Sequence, residues 1–199
     1  EDGVHRGDSF YHQGLGVTFK VPPGWFLQNT PNALTMFDQG RTNVLTITLE
    51  QKPPNSTPQR YLRHLLRGRN LSGAKAFMNY EVEGYYGILT DKKSKRVGVT
   101  FKGQKAFVWV GEATYPQGFD FADEIFTKTM DSFRGLKKGE DTLAESQKIG
   151  LVKAKSNTGY ASMAARSEIA EFALEQLRLL NGQYPDGEPQ PGQWLKTIK

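Results

Sequence analysis

The sequence predicts an α+β protein with a mostly antiparallel sheet and packed helices, followed by a smaller βααβ unit. Stretches with apolar residues at every second position, the period of a half-buried strand, recur between turns of glycine and proline. Other stretches carry their apolar residues at helical spacing. Strands in sequence, interrupted by one helix and closed by another, are typical of a sheet on which helices pack.

The strands of the larger unit are predicted from this alternation and from the turns that end it. In LGVTFKV, residues 15–21, the apolar side chains share one face. A hairpin turn is expected at Lys102-Gly103-Gln104, and a break between two strands at Glu83-Gly84. The predicted strand regions are 15–21, 33–50, 75–91 and 95–115, and each of the last three holds two strands.

Two helices are predicted in the same unit. Thr57 suits the N-cap and Pro58 the first helical position, so that a helix is expected within 53–70. A second helix is expected within 119–136, where an apolar stripe recurs at helical spacing. The residues of this stripe are Phe119, Ala122, Ile125, Phe126, Met130 and Phe133.

The predicted domain division follows from a polar segment without periodicity. We expect an α+β domain at 1–138, a linker at 139–148 and a small domain at 149–199. The small domain is predicted to run from an apolar strand through two helices, 161–166 and 168–180, to a closing strand at Trp194.

Composition excludes several classes of protein. With 37% hydrophobic and 12% aromatic residues in 199, the chain has the composition of a globular protein. It has no apolar run near the ~18–20 residues of a membrane span. The absence of cysteine excludes disulfides, thiol catalysis and thiolate zinc sites. Because the chain begins at Glu1 without methionine or a signal sequence, we expect a mature protein or an excised fragment.

Charge is distributed unevenly. Residues 1–139 hold 19 Lys and Arg against 13 Asp and Glu, whereas residues 140–199 hold 7 against 8. The excess favours an anionic partner for the first unit. No nucleic-acid partner is predicted, because no basic run is interleaved with aromatic residues.

Catalytic and metal-binding patterns are absent from the sequence. His5, His12 and His64 are scattered, and there is no H-E-x-x-H, G-x-S-x-G or P-loop. We therefore expect no catalytic residue, metal ligand or cofactor in this chain. The helix within 53–70 carries Arg60, Arg63 and Arg67, which allows two interpretations: a docking face for an acidic partner, or the solvated side of an ordinary amphipathic helix.

Residues 6–31, RGDSFYHQGLGVTFKVPPGWFLQNTP, resemble a segment of known proteins. The matching elements include Arg6-Gly7, Phe10-Tyr11-His12, Gly24-Trp25 and Leu27-Gln28-Asn29. The segment is similar to the one that follows the catalytic domain in bacterial secreted gluzincin zinc metallopeptidases related to the CAAX prenyl protease. The resemblance implies a non-catalytic PsbP/Mog-like α/β/α sandwich that serves mainly in protein contacts.

The end of the chain resembles a divergent LysM-like module. The similar stretches are YASMA at 160–164, LRLLNG at 177–182 and PGQWLKTI at 191–198. Where LysM modules commonly carry Gly-Asp-Thr, this chain has Asn157-Thr158-Gly159. The implied ligand-binding residues are Asn157, Thr158, Gly159, Tyr160, Asn181 and Gly182. Tyr160 is equally suited to core packing.

These resemblances lead to two hypotheses of function. In the first, the chain is a non-catalytic region of an exported zinc metallopeptidase, in the periplasm or cell envelope. It would contact the peptidase domain of the same polypeptide, another protein or peptidoglycan, and the zinc would lie only in the catalytic domain outside this chain. In the second, it is a stand-alone envelope protein that binds peptidoglycan through the LysM-like module. A peptidase sequence upstream of Glu1 favours the first, and a signal peptide there favours the second.

Overall fold

The chain forms two units, Glu1–Glu145 and Ser146–Lys199, in a computed structural model that describes residues 3–30, 33–145, 148–167, 169 and 172–198. The first unit contains helices α1 (Pro58–Leu65) and α2 (Phe119–Ser132), with short 3₁₀ turns at Pro116–Gly118 and Asp141–Ala144. Its strands are β1 (Val4–Arg6), β2 (Ser9–His12), β3 (Val17–Lys20), β4 (Phe26–Asn29), β5 (Ala33–Phe37), β6 (Asn43–Gln51), β7 (Leu71–Asn79), β8 (Val82–Leu89), β9 (Lys95–Lys102), β10 (Lys105–Ala113) and β11 (Arg134–Gly135).

The described strands of this unit pair into two antiparallel sheets. One has four strands in the order β1-β2-β3-β11, and the other has seven in the order β4-β5-β6-β10-β9-β8-β7. Strand β10 shows how the larger sheet is covered. Its Ala106 and Val108 pack with α1 on one face, whereas Phe107 and Trp109 pack with α2 and the four-stranded sheet on the other. Helices thus lie on both faces of the seven-stranded sheet, and the predicted α+β class is confirmed.

Local sequence accounts for the element ends. Thr57 caps α1 as predicted, with its hydroxyl accepting from Arg60 N at 3.2 Å, and Gly103 adopts a φ of +56° in the turn between β9 and β10. The break predicted at Glu83-Gly84 is wrong, because both residues lie inside β8 and the turn falls before Val82. Gly84 serves close packing instead: a Cβ there would lie 2.2 Å from the Phe77 ring.

An aromatic cluster joins the two sheets. Phe133, immediately after α2, has its ring 4.9 Å from Phe107, 5.1 Å from Trp109 and 6.2 Å from Phe19. Trp109 is fully buried, and its indole N–H donates to the Thr100 hydroxyl at 3.0 Å. These contacts connect the end of α2, the centre of the seven-stranded sheet and β3.

Part of the predicted linker belongs to the first unit. Glu140 accepts two hydrogen bonds from the Arg134 guanidinium, at 2.7 and 2.8 Å, and one from Lys137 N at 2.8 Å. Ala144, in the turn that follows, is buried. Residues 139–145 therefore pack on the first unit, although they were predicted to belong to the linker. The prediction missed this because the polarity of the segment does not reveal the contact between Arg134 and Glu140.

The second unit has the predicted order of strand, helix, helix and strand. Its described elements are β12 (Ile149–Lys153), α3 (Tyr160–Ala164), α4 (Ala173–Leu180) and β13 (Trp194–Ile198), with β12 antiparallel to β13. Positions 168, 170 and 171 of the predicted second helix lie outside the described residues. The core of the unit is formed by Ala154, Tyr160, Met163, Leu177 and Leu195.

Replacing Phe133 with alanine is expected to lower the free energy of unfolding of the first unit by about 3–5 kcal/mol, because it removes a buried ring and leaves a cavity. The measurement is guanidinium unfolding followed by tryptophan fluorescence in a Trp194→Phe background, where the signal comes from Trp25 and Trp109. The control is Phe121→Ala in α2, the helix that Phe133 follows, where loss of a side chain that is 71% exposed should change the free energy of unfolding by no more than about 0.5 kcal/mol. Equal effects of the two changes would contradict the role of Phe133.

The Arg134–Glu140 pair predicts a pH dependence of stability. Hydrogen bonds from Arg134 lower the pKa of Glu140 from 4.5 to about 2. Because the folded pKa is the lower one, the stabilisation is present above pH 4.5 and is lost as the pH falls through about 2. Between these values the wild type should lose more stability than Glu140→Gln, as measured by urea midpoints. Parallel pH profiles would refute this role for the pair.

Candidate functional site

The ligand-binding residues implied by the LysM-like resemblance lie in or next to two loops, one before α3 and one after α4. The carboxylate of Glu188 joins these two loops. Glu188 accepts a hydrogen bond from Tyr160 N at 3.1 Å and forms an ion pair with Arg178. The Arg178 guanidinium, and then the Tyr160 N–H, hold the pKa of Glu188 below its ordinary value. A Cβ on Gly159 would lie 3.5 Å from the same carboxylate. The structure thus brings Gly159 and Tyr160 against the loop that follows α4.

Tyr160 is a core residue of the second unit. Its side chain is fully buried, and its hydroxyl donates to Gln183 Oε1. Burial, with the charge of Glu188 nearby, raises the pKa of Tyr160 above its ordinary value. Because no face of the ring is open to a ligand, the structure favours the core interpretation of this residue.

Asn181 connects α4 to the closing strand. Its Nδ2 donates to Leu177 O at 2.8 Å and Lys196 O at 2.9 Å, and its Oδ1 accepts from Lys196 N at 2.7 Å. Both N–H bonds of the amide are therefore occupied by the protein. Thr158 is also occupied, since its hydroxyl accepts from Lys155 N at 2.8 Å within the loop. Asn157 and Gly182 are exposed.

The sheet of the second unit presents a surface that the sequence reasoning missed, which we call the open sheet face. Lys153 lies opposite Trp194 and Leu151 opposite Lys196, so that these side chains share the side of the sheet away from buried Leu195. Trp194 and Leu151 are each 63% exposed. The face is completed by Ile149 and Ile198. It combines an exposed indole with aliphatic side chains and two lysines.

The predicted docking arginines lie on the exposed side of α1 and just beyond it. Leu62 and Leu66 pack against β8 and β9, while Arg60, Arg63 and Arg67 face outward. Arg60 donates to Asn55 O at 3.3 Å. This distribution is that of an ordinary amphipathic helix, and it leaves the docking interpretation as a prediction.

The described residues contain neither a metal-binding cluster nor a membrane-spanning helix. Within the part of the chain that the structure describes, no three His, Asp or Glu side chains are grouped so as to hold a metal ion. None of the described helices has the length and apolar character needed to cross a membrane.

No protein-family model matches the chain, and no curated protein matches it. Among solved structures, it is similar to the solution structure of cyanobacterial PsbP (CyanoP) from Synechocystis sp. PCC 6803. The TM-score is 0.46 at 16% identity, over 67% of this chain and 94% of that one. A crystal structure from Bacteroides thetaiotaomicron VPI-5482 is similar with a TM-score of 0.44 at 12% identity, over 81% of this chain and 58% of that chain.

The hydrogen bonds of Asn181 predict a structural role for this residue. Asn181→Ala should destabilise the second unit by about 1–2 kcal/mol, because it removes two hydrogen bonds to Lys196 of β13 and one to Leu177 of α4. Amide hydrogen exchange in β12 and β13 should become roughly tenfold faster or more. The control is Asn157→Ala, since Asn157 is exposed and should leave exchange unchanged. Unchanged exchange in both variants would disprove the structural role.

Proposed function

We propose that this chain is a non-catalytic interaction region of an exported zinc metallopeptidase, and that its second unit binds peptidoglycan. The parent peptidase and the envelope location rest on the resemblance of residues 6–31 and of the LysM-like stretches. The zinc and the peptide-bond chemistry would belong to a catalytic domain outside this chain. The first unit would contact that domain or another protein.

The observation that carries the glycan proposal is the open sheet face. Trp194 there presents a large flat ring to solvent, and its neighbours Leu151 and Ile149 are 63% and 62% exposed. Exposed apolar side chains that form a contiguous patch mark interaction surfaces, whereas single ones do not. Sugar sites combine such an aromatic platform with a small number of polar groups.

Charge on this face suits peptidoglycan in particular. Lys153 lies opposite Trp194 and Lys196 opposite Leu151, so that each lysine is a cross-strand neighbour of an exposed apolar residue. Peptidoglycan offers sugar rings with apolar faces, which stack on indole, and peptide carboxylates, which pair with lysine. A neutral glycan would use only the first of these two complementarities. The pairs with lysine are solvent-exposed, so we expect them to contribute modestly and to weaken in salt.

The loop site receives less support than the sheet face. Tyr160 is buried, and Asn181 and Thr158 bond to the protein itself. Tyr184 is the exposed aromatic residue of the second loop, at 59%. A loop-bound glycan would therefore depend on Tyr184, and a face-bound glycan on Trp194. The two sites can be separated by single substitutions.

The second hypothesis, a stand-alone envelope protein anchored to peptidoglycan, uses the same face. The two differ only in what precedes Glu1 in the coding sequence. A peptidase domain with H-E-x-x-H there would support the first, and a signal peptide directly upstream would support the second.

We expect Trp194→Ala to lower the affinity of the full chain for insoluble peptidoglycan about tenfold or more, because the aromatic anchor is lost. The measurement is co-sedimentation with purified sacculi over a range of protein concentrations. The matched control is Tyr184→Ala, which should bind like the wild type. Both side chains are exposed, so neither change should disturb folding, as circular dichroism would check.

Other outcomes would locate the site elsewhere. If Tyr184→Ala loses peptidoglycan binding and Trp194→Ala keeps it, the binding site lies in the loops. That result would overturn the proposed site on the open sheet face. Binding that survives both changes but disappears in moderate salt would indicate simple attraction by the basic first unit. Absence of binding by the wild type would leave protein contact as the remaining function of the face.

A further inference from the structure

Three arginines follow one another along the exposed side of α1 and just beyond its end, and we call them the arginine stripe. Arg60, Arg63 and Arg67 are all exposed, and their intervals of three and four residues place them on one side of a helix. Their attachment points are therefore spaced about 4.5 and 6 Å along the helix axis. Leu62 and Leu66 lie on the other side and are buried against the sheet.

The stripe carries positive charge that the protein does not neutralise. Residues 51–80 contain six Lys and Arg and no Asp or Glu. The other three cations of this segment, Lys52, Arg69 and Lys75, form ion pairs with acidic residues elsewhere in the first unit. Among the residues that the structure describes, no arginine of the stripe forms such a pair. The unpaired charge of the segment is thus confined to one narrow line.

The stability of α1 does not explain where these arginines stand. Arg60 lies in the first turn, where the macrodipole disfavours positive charge and no acidic residue is present. Arg67 has a φ of +52° just after the helix, a conformation in which glycine is favoured over any residue with a Cβ. Two of the three positions are therefore occupied against the local preference of the backbone. Such conflicts occur preferentially at functional sites.

The arrangement of the charge distinguishes among anionic partners. A small anion needs cations that converge on one point, whereas these are spread along a line. A membrane-bound helix places its apolar side in the lipid, but the apolar side of α1 is buried against the sheet. A nucleic acid gains most from a broad basic surface, whereas the other cations of this segment are paired. In an extended peptide, by contrast, alternate side chains recur on one side about every 6.5 Å, which is close to the spacing of the arginines.

We propose that the arginine stripe docks an extended acidic segment of a protein, in which Asp or Glu alternates with other residues. A guanidinium group donates two parallel hydrogen bonds to one carboxylate, so that successive carboxylates can each pair with one arginine. This inference rests on the protein contact proposed above for the first unit. It requires neither the peptidase parent nor peptidoglycan binding by the second unit.

The test is fluorescence anisotropy of the full chain at low salt, with a short peptide in which Glu alternates with Ser and which carries an uncharged dye. We expect saturable binding that weakens as salt is added, and no binding of the same peptide with Gln in place of Glu. Arg60→Gln and Arg63→Gln should each weaken binding about threefold or more, since exposed ion pairs contribute modestly one by one.

Arg67→Gly separates peptide binding from stability. It should also weaken binding about threefold or more. It should not lower the urea midpoint, because glycine adopts a positive φ without strain. The matched control is Arg41→Gly in the turn between β5 and β6, which removes the same charge from another exposed arginine with a φ of +52°. This control should bind the Glu peptide like the wild type.

Several results would overturn the proposal. These are no binding of the Glu peptide by the wild type, and equal binding of the Gln peptide. Equal weakening by Arg41→Gly would also overturn it, because the attraction would then follow net charge rather than the stripe. Binding of phosphatidylglycerol vesicles or single-stranded DNA without binding of the Glu peptide would assign the stripe to another class of anion. Trp194→Ala, which tests the peptidoglycan site, should bind the Glu peptide normally, so that the two proposals can fail independently.

Discussion

The first unit depends on the contact between its two sheets, and Phe133 is at the centre of that contact. The ring meets β3 and β10, and the backbone on either side of it ends α2 and begins β11. The Asn79 amide also donates to Phe133 O at 3.1 Å, which holds the end of β7 at the same point.

Coverage of the seven-stranded sheet on both faces imposes a second constraint, since its central strands have few exposed positions for polar groups. Two buried polar side chains of these strands are paired with residues of α2. Arg96 forms a two-bonded pair with Asp123 of α2, at 2.7 and 2.5 Å, although both side chains are largely buried. The hydroxyl of Tyr86 donates to Asp131 of the same helix at 2.8 Å. Such pairs add little net stability, but removing one partner would leave a buried charge or hydroxyl unpaired, so they hold α2 in one position on the sheet.

Much of this architecture could be predicted from local sequence, and the failures have physical causes. The turn at Gly103 and the cap at Thr57 follow from single residues whose chemistry permits few alternatives. Gly84 does not indicate a turn in the structure, because its role is to admit a ring from the neighbouring strand. The sequence analysis predicted β12 only as an apolar strand and did not indicate its buried face: Ile149 and Leu151 are exposed, whereas Val152 on the other face pairs with the buried Leu195. Which face of a two-stranded sheet is buried depends on the partner strand and on the core beneath it. The sequence of one strand alone does not reveal either.

The candidate sites show the same limit of prediction from local sequence. The loop residues predicted from the resemblance have side chains suited to a glycan, but Tyr160 and Asn181 use theirs to hold the second unit together. Ligand binding is therefore proposed for the open sheet face, a surface that no sequence motif indicates. Under the proposed function, a long polymer would stack on the Trp194 indole while its hydroxyl groups remain in water. The open sheet face would then need no hydrogen-bond partner for each of those hydroxyl groups, whereas the buried Tyr160 ring offers a ligand no surface at all.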